Sequence, residues 1–200
     1  MLTKKQIEIL DLFRKNVFLS LTIRGISKKL KKAYPKTYEA VKILKNKNII
    51  KIEKIGSSSL CKVNLDDRTV SILSFLDEQE AYSKNIPNIQ EILSFKELLE
   101  DIILVTGSFA KGKQTKTSDI DLMVITKEKA FQKQKLIENK TSLFIPEIHI
   151  IVVTKQDFIK MLLEKEENLG KEVFKNRLIF RNANSFYGLV KEAIKNGFRD

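Results

Sequence analysis

The chain has 200 residues, 42% of them hydrophobic, enough for one large or two small domains with real cores. No apolar run approaches the roughly 20 residues of a membrane span, and Met1-Leu2-Thr3-Lys4-Lys5 contains no apolar signal region, so a cytoplasmic protein is expected. The net charge of +12 is confined to one end: residues 1–65 hold 16 Lys and Arg against 4 Asp and Glu, whereas residues 66–200 hold 21 of each. A basic block of domain size suggests a polyanion partner. One cysteine, Cys61, excludes an intrachain disulfide, and with a single histidine, His149, it leaves no zinc site.

Thr3-Lys4-Lys5-Gln6 reads as a capping box, and Ile7, Leu10, Phe13 and Val17 then recur at helical spacing. A second short helix fits residues 23–33, with Ile23, Ile26 and Leu30 inside. Tyr34-Pro35 turns the chain into a third helix, residues 35–47. It should bury Tyr38, Val41 and Leu44 and show Lys36, Thr37, Glu39, Lys42 and Lys45 on its other face. Residues 49–55 alternate as a strand, 56–59 turn, and 60–65 return.

Three helices followed by a hairpin resemble a winged helix-turn-helix domain over roughly residues 3–65. The resemblance implies double-stranded DNA as partner, with the third helix in the major groove and the wing on backbone or minor groove. Lys36, Thr37, Lys42 and Lys45 would make the helix contacts and Lys54 a wing contact. Lysine-rich contacts mostly grip phosphate, so affinity should exceed sequence discrimination. A solvated helix face, or a winged domain used for protein contacts, is the alternative.

Residues 66–82 read as a helix with Val70, Leu73 and Leu76 inward, and 83–88 as a loop. The domain division expected is 1–65, a connecting segment 66–83, and a second domain 84–200. A helix over 88–99 precedes the apolar run Ile102-Ile103-Leu104-Val105, long enough for a buried strand. Gly107-Ser108 breaks that run, a loop rich in lysine and threonine follows, and residues 119–125 alternate as another strand.

Strand residues i and i+2 share a face, so Asp119 and Asp121 lie side by side while Ile120, Leu122 and Val124 cover the other face. Carboxylates that close repel unless something positive sits between them. A hard divalent cation is the natural candidate, and Mg²⁺ fits best where phosphates complete its shell. Glycine at 107 permits close approach of backbone, and a helix starting near Ser108 points free N–H groups at a phosphate.

Further on, 127–139 reads as a polar amphipathic helix and 144–154 as a strand with Glu147, His149, Ile151 and Val153 on one face. Thr154-Lys155-Gln156-Asp157 is a second capping box, opening a helix that stops before Gly170. Residues 171–175 continue helical, 178–180 form a short strand, and 185–195 a final amphipathic helix.

Gly107-Ser108-Phe109-Ala110-Lys111-Gly112, followed by Ser118-Asp119-Ile120-Asp121-Leu122, resembles the signature of the nucleotidyltransferase superfamily related to DNA polymerase beta. Its minimal nucleotidyltransferases are the nearest in pattern. The implied architecture is α/β (α+β): the winged helix-turn-helix, then a polymerase-beta-like mixed sheet with helices on one face. The implied reaction moves a nucleoside monophosphate from an NTP, ATP foremost, to a hydroxyl of a protein, RNA or small molecule. In that scheme Asp119 and Asp121 hold two Mg²⁺ ions, with Mn²⁺ an alternative. Gly107, Ser108, Lys111, Gly112 and Ser118 bind the nucleotide. Family members place a third carboxylate on the following strand, and Glu147 is the acid available there, as metal ligand or general base; otherwise it is a solvated edge residue. His149 either touches a nucleotide or is structural. Phe109 stands where the family often has arginine.

Three readings stay open. The first is an active transferase, brought to nucleic acid by its winged domain. The second is a DNA-binding regulator whose transferase domain senses nucleotide. The third is an antitoxin-like partner of a small helical toxin. Each admits a homodimer, and none involves a membrane.

Overall fold

Thr3 caps α1 (Lys4–Lys15) reciprocally: its hydroxyl accepts from the Gln6 N–H, and the Gln6 side chain accepts from the Thr3 N–H at 3.0 Å. The helix buries Ile9, Leu10 and Phe13. β1 (Leu21–Thr22) leads into α2 (Ile23–Lys29), which ends earlier than its apolar spacing suggests because Lys31 turns into the left-handed region at φ 52°. α3 (Tyr34–Asn46) is followed by β2 (Ile50–Ile55) and β3 (Ser58–Val63), joined through Gly56 at φ +59°. The three strands form an antiparallel sheet in the order β1-β3-β2. Three helices with this sheet make a winged helix-turn-helix.

The phase of α3 differs from the expectation. Thr37, Ala40, Val41 and Leu44 form the buried stripe, at i, i+3, i+4 and i+7, while Tyr38 is 45% exposed. The aromatic ring invites an inward assignment, but packing selects the small residues that let α3 sit close to its neighbours.

The computed structural model describes residues 2–199 and divides into two units, one running to Leu73 and the other Ser74–Arg199. The division falls inside α4 (Asp67–Ser83). In the second unit the expected helix over 88–99 is broken into α5 (Ile89–Leu93) and a short 3₁₀ turn at Lys96–Leu98. β4 (Ile102–Val105), α6 (Gly107–Ala110), β5 (Ile120–Thr126), α7 (Ala130–Thr141) and β6 (Ile148–Thr154) follow. α8 (Lys155–Leu163), α9 (Leu169–Lys175), β7 (Leu178–Arg181) and α10 (Ala183–Lys195) complete it.

The sheet order is β6-β5-β4-β7. β5 pairs antiparallel with β4 and parallel with β6, so it is flanked on both sides. Ile103, Val105, Ile120, Leu122, Val124 and Ile150 face one core, with α5 and α7 residues such as Ile92 and Ile137. The alternate residues Leu104, Met123, Ile125 and Ile179 are equally buried, and α8 and α10 pack against the strands. Helical cover therefore extends to both faces, and the near-continuous apolar runs in β4 and β5 follow from that. No helix among the described residues is long and apolar enough to cross a membrane.

Candidate functional site

β4 ends where Thr106 donates its backbone N–H to the Asp121 carbonyl at 2.9 Å, extending the β4–β5 ladder by one bond. The chain then turns through Gly107 at φ +65°. A Cβ at this position would lie 1.9 Å from Asp121 Oδ2. The glycine is thus required twice, by its left-handed backbone and by the carboxylate pressed against its Cα. The close approach that the sequence suggests is made, in this structure, by one of the two acids.

Asp119, just before β5, and Asp121 within it both project opposite Ile120 and Leu122, as alternation requires, and their side chains are each somewhat under half exposed. His149 lies next to Asp121 in the parallel β5–β6 register. Its Nε2 is 3.7 Å from Asp119 Oδ2 and its Nδ1 3.8 Å from Asp121 Oδ1. Both distances exceed a hydrogen bond, so the ring sits between the carboxylates without being tied to either.

Asp121, His149, Gly107, Lys111, Met123, Ile151, Leu169 and Glu172 contribute to a cavity of about 240 Å³, walled by the sheet face on one side and α9 on the other. Of the residues expected to bind nucleotide, Gly107 and Lys111 line this cavity; Ser108, Gly112 and Ser118 do not. Gly112 is exposed in the loop at φ +65° with open space around its Cα. Ser118 Oγ accepts the Thr115 N–H at 2.8 Å and meets the Thr115 hydroxyl at 3.1 Å, which ties it to its own loop.

Glu147 falls one residue short of the strand expected to carry it. It lies just before β6, exposed, and holds β5 only through its carbonyl, which accepts the Ile120 N–H at 2.9 Å. Among the described residues no three Asp, Glu, His or Cys side chains gather as a metal-binding group. Two partly exposed carboxylates fit a Mg²⁺-type ion nonetheless, because such an ion takes one or two carboxylates and fills the rest of its shell with water and substrate phosphates.

Glu172 and Leu169 come from α9, which no motif marks. Gly170 is the one trace of their position: a Cβ there would lie 2.5 Å from Met161 Cβ, so the glycine lets α9 close on α8. Asn168 caps α9 by accepting the Lys171 N–H at 3.2 Å. Gly170 looks like a stop signal in the sequence, whereas it lies inside the helix.

In the first unit, Lys36, Lys42 and Lys45 are exposed on α3 and Lys54 on the wing. Thr37 is buried instead. It is 1% exposed, and its hydroxyl donates to the Ala33 carbonyl at 3.1 Å, so it cannot reach a partner. Tyr34 and Tyr38 stand on the exposed side instead, their ring centroids 6.2 Å apart.

The chain has no match among curated proteins. One solved structure that resembles it is MepR, a transcription regulator of the Staphylococcus aureus multidrug efflux pump MepA, at 16% identity over 48% of this chain and 73% of that one. With a TM-score of 0.33, that likeness carries nothing over to this chain. A family model described as a nucleotidyltransferase domain matches residues 73–180. The match takes in β4, α6, β5 and β6, the elements that bring Gly107 against Asp121 and set His149 beside it. The chain therefore belongs to the nucleotidyltransferase domain family and is a transferase, of a kind that moves nucleoside monophosphates.

Proposed function

We propose that the cavity between β5, β6 and α9 takes the triphosphate of an NTP and that the protein transfers the nucleoside monophosphate to an acceptor hydroxyl. The contact of Gly107 with the Asp121 carboxylate carries this reading, because it brings the phosphate-side turn and the acid pair to one point. Asp119 and Asp121 would hold the divalent ion, Mg²⁺ or Mn²⁺, which when bound supplies positive charge against the developing negative charge at phosphorus. The Gly107 turn and Lys111 would orient the phosphates, and the sheet and α9 would exclude bulk water from the cavity. His149, 3.7 Å from Asp119 and 3.8 Å from Asp121, would stand between the two acids.

The first unit is proposed to bind duplex DNA. The chain's net positive charge is concentrated there, and Lys36, Lys42, Lys45 and Lys54 are exposed on the helix and hairpin of a winged fold.

The deciding experiment incubates the full chain with α-labelled NTPs, Mg²⁺ or Mn²⁺, and protein, RNA or small-molecule acceptors. Label should move to one acceptor class and be lost in Asp119→Asn and Asp121→Asn. Transfer that survives both substitutions would end the reading.

A further inference from the structure

Lys111 and Glu172 face each other at the cavity, Lys111 Nζ lying 2.8 Å from Glu172 Oε1. The two ends of this pair are held unequally. Asn176 Nδ2 also donates to Glu172 Oε1, at 3.2 Å, and the Asn176 carbonyl accepts the Thr106 hydroxyl at 2.9 Å. Glu172 is thereby anchored to the end of β4. Lys111 sits on a flexible four-carbon stem just past a four-residue helix. If one partner leaves, it is the lysine.

The charges at the cavity sharpen the point. Among the described residues Lys111 is its one lysine or arginine, set against Asp121 and Glu172, with Asp119 just beyond His149. With Lys111 neutralised by Glu172, the remaining field is negative, and a bare triphosphate with its own negative charges is repelled. A divalent ion arriving with the phosphates reverses that balance.

We propose that Glu172 makes this cavity select metal-bound over metal-free nucleoside triphosphate, by occupying Lys111 and by adding a fixed negative charge that only the metal complex can tolerate. The inference rests on the nucleotide reading of the same cavity. Glu172 is a positioning and selecting residue here, with no part in bond making.

The test is calorimetry on the full chain with the α,β-methylene analogue of ATP, whose bridge cannot be cleaved, in MgCl₂ and in EDTA. The native protein should bind in MgCl₂ and roughly tenfold or more weakly in EDTA. Glu172→Gln keeps the size of the side chain and its bond to Asn176. It should raise the EDTA affinity by about tenfold and the MgCl₂ affinity by much less, so that the ratio collapses. Adding Lys111→Met to that variant should remove the gain, since the freed lysine is its source. An unchanged ratio in Glu172→Gln, or equal losses in both buffers, overturns the proposal while leaving the site reading intact. A native protein that binds no triphosphate with Mg²⁺ or Mn²⁺ overturns both.

Discussion

Gly107 and Asp121 lie so close that the smallest side chain on one would overlap the carboxylate of the other. Gly107→Ala must therefore push β5's acid aside and force alanine into a left-handed backbone, which costs on the order of 1 kcal/mol by itself. Displacing a reacting group by about 1 Å typically costs about a hundredfold in rate. Single-turnover label transfer should fall by about that factor, with thermal stability only modestly reduced. Full activity in Gly107→Ala would mean that Asp121 is not where the chemistry happens.

Removing either acid's charge should separate activity from stability. Asp119→Asn and Asp121→Asn should abolish transfer yet leave the melting temperature unchanged or slightly higher, because two neighbouring carboxylates repel in the absence of a cation. Glu147→Gln, outside the strand, should retain transfer within a few-fold, whereas His149→Ala should lose more. The reverse order in a steady-state assay would return the third-ligand role to Glu147.

For the winged unit, Lys42→Glu with Lys45→Glu should weaken duplex binding and flatten its salt dependence, by a slope of about 0.9 for each phosphate no longer neutralised. Thr37→Val should behave differently. Its buried hydroxyl bonds to Ala33, so the change should lower stability by about 1 kcal/mol and leave the salt slope alone. Fluorescence anisotropy across a salt series, paired with urea melts, distinguishes the two.

A buried polar cluster in the second unit should be costly to break. Tyr187 donates its hydroxyl to Asp77 Oδ2 at 2.6 Å, and Arg177 Nη2 lies 3.2 Å from the Tyr187 oxygen and 3.5 Å from Asp77, all three residues being buried. The Arg177 guanidinium also stacks 4.8 Å from the Phe186 ring centre. Asp77→Ala should cost about 3–5 kcal/mol, since it removes a buried partner of both Tyr187 and Arg177. Burial, and then the Asp77 charge, push the Tyr187 phenol far above its usual range, so the folded protein keeps a proton that the unfolded chain releases. Stability should thus hold below about pH 10, the ordinary phenol value, and fall as pH rises beyond it, and Tyr187→Phe should flatten that decline. Denaturant melts on either side of that pH provide the measurement.

The strands and the acid pair are readable in the sequence because β4 and β5 are apolar runs separated by Gly107-Ser108 and a polar loop, and period 2 alone puts both aspartates on one face. Other features escape it for physical reasons. Tyr38 and Thr37 are neighbours on α3, and a ring looks more buriable than a hydroxyl until the tightness of the helix contact is known. The reach of Glu147 depends on where β6 starts, which alternation does not fix. The Lys111–Glu172 pair joins residues far apart in the chain, and nothing local to either marks the other.

β5, which bears Asp121, is hydrogen-bonded to β4 on one side and to β6 on the other. Widening of the cavity that leaves this ladder intact falls to the opposite wall. That wall is a seven-residue helix, α9, capped by one asparagine and seated on one glycine. Substitutions at Asn168 and Gly170, which do not line the cavity, should accordingly change the rate of substrate entry.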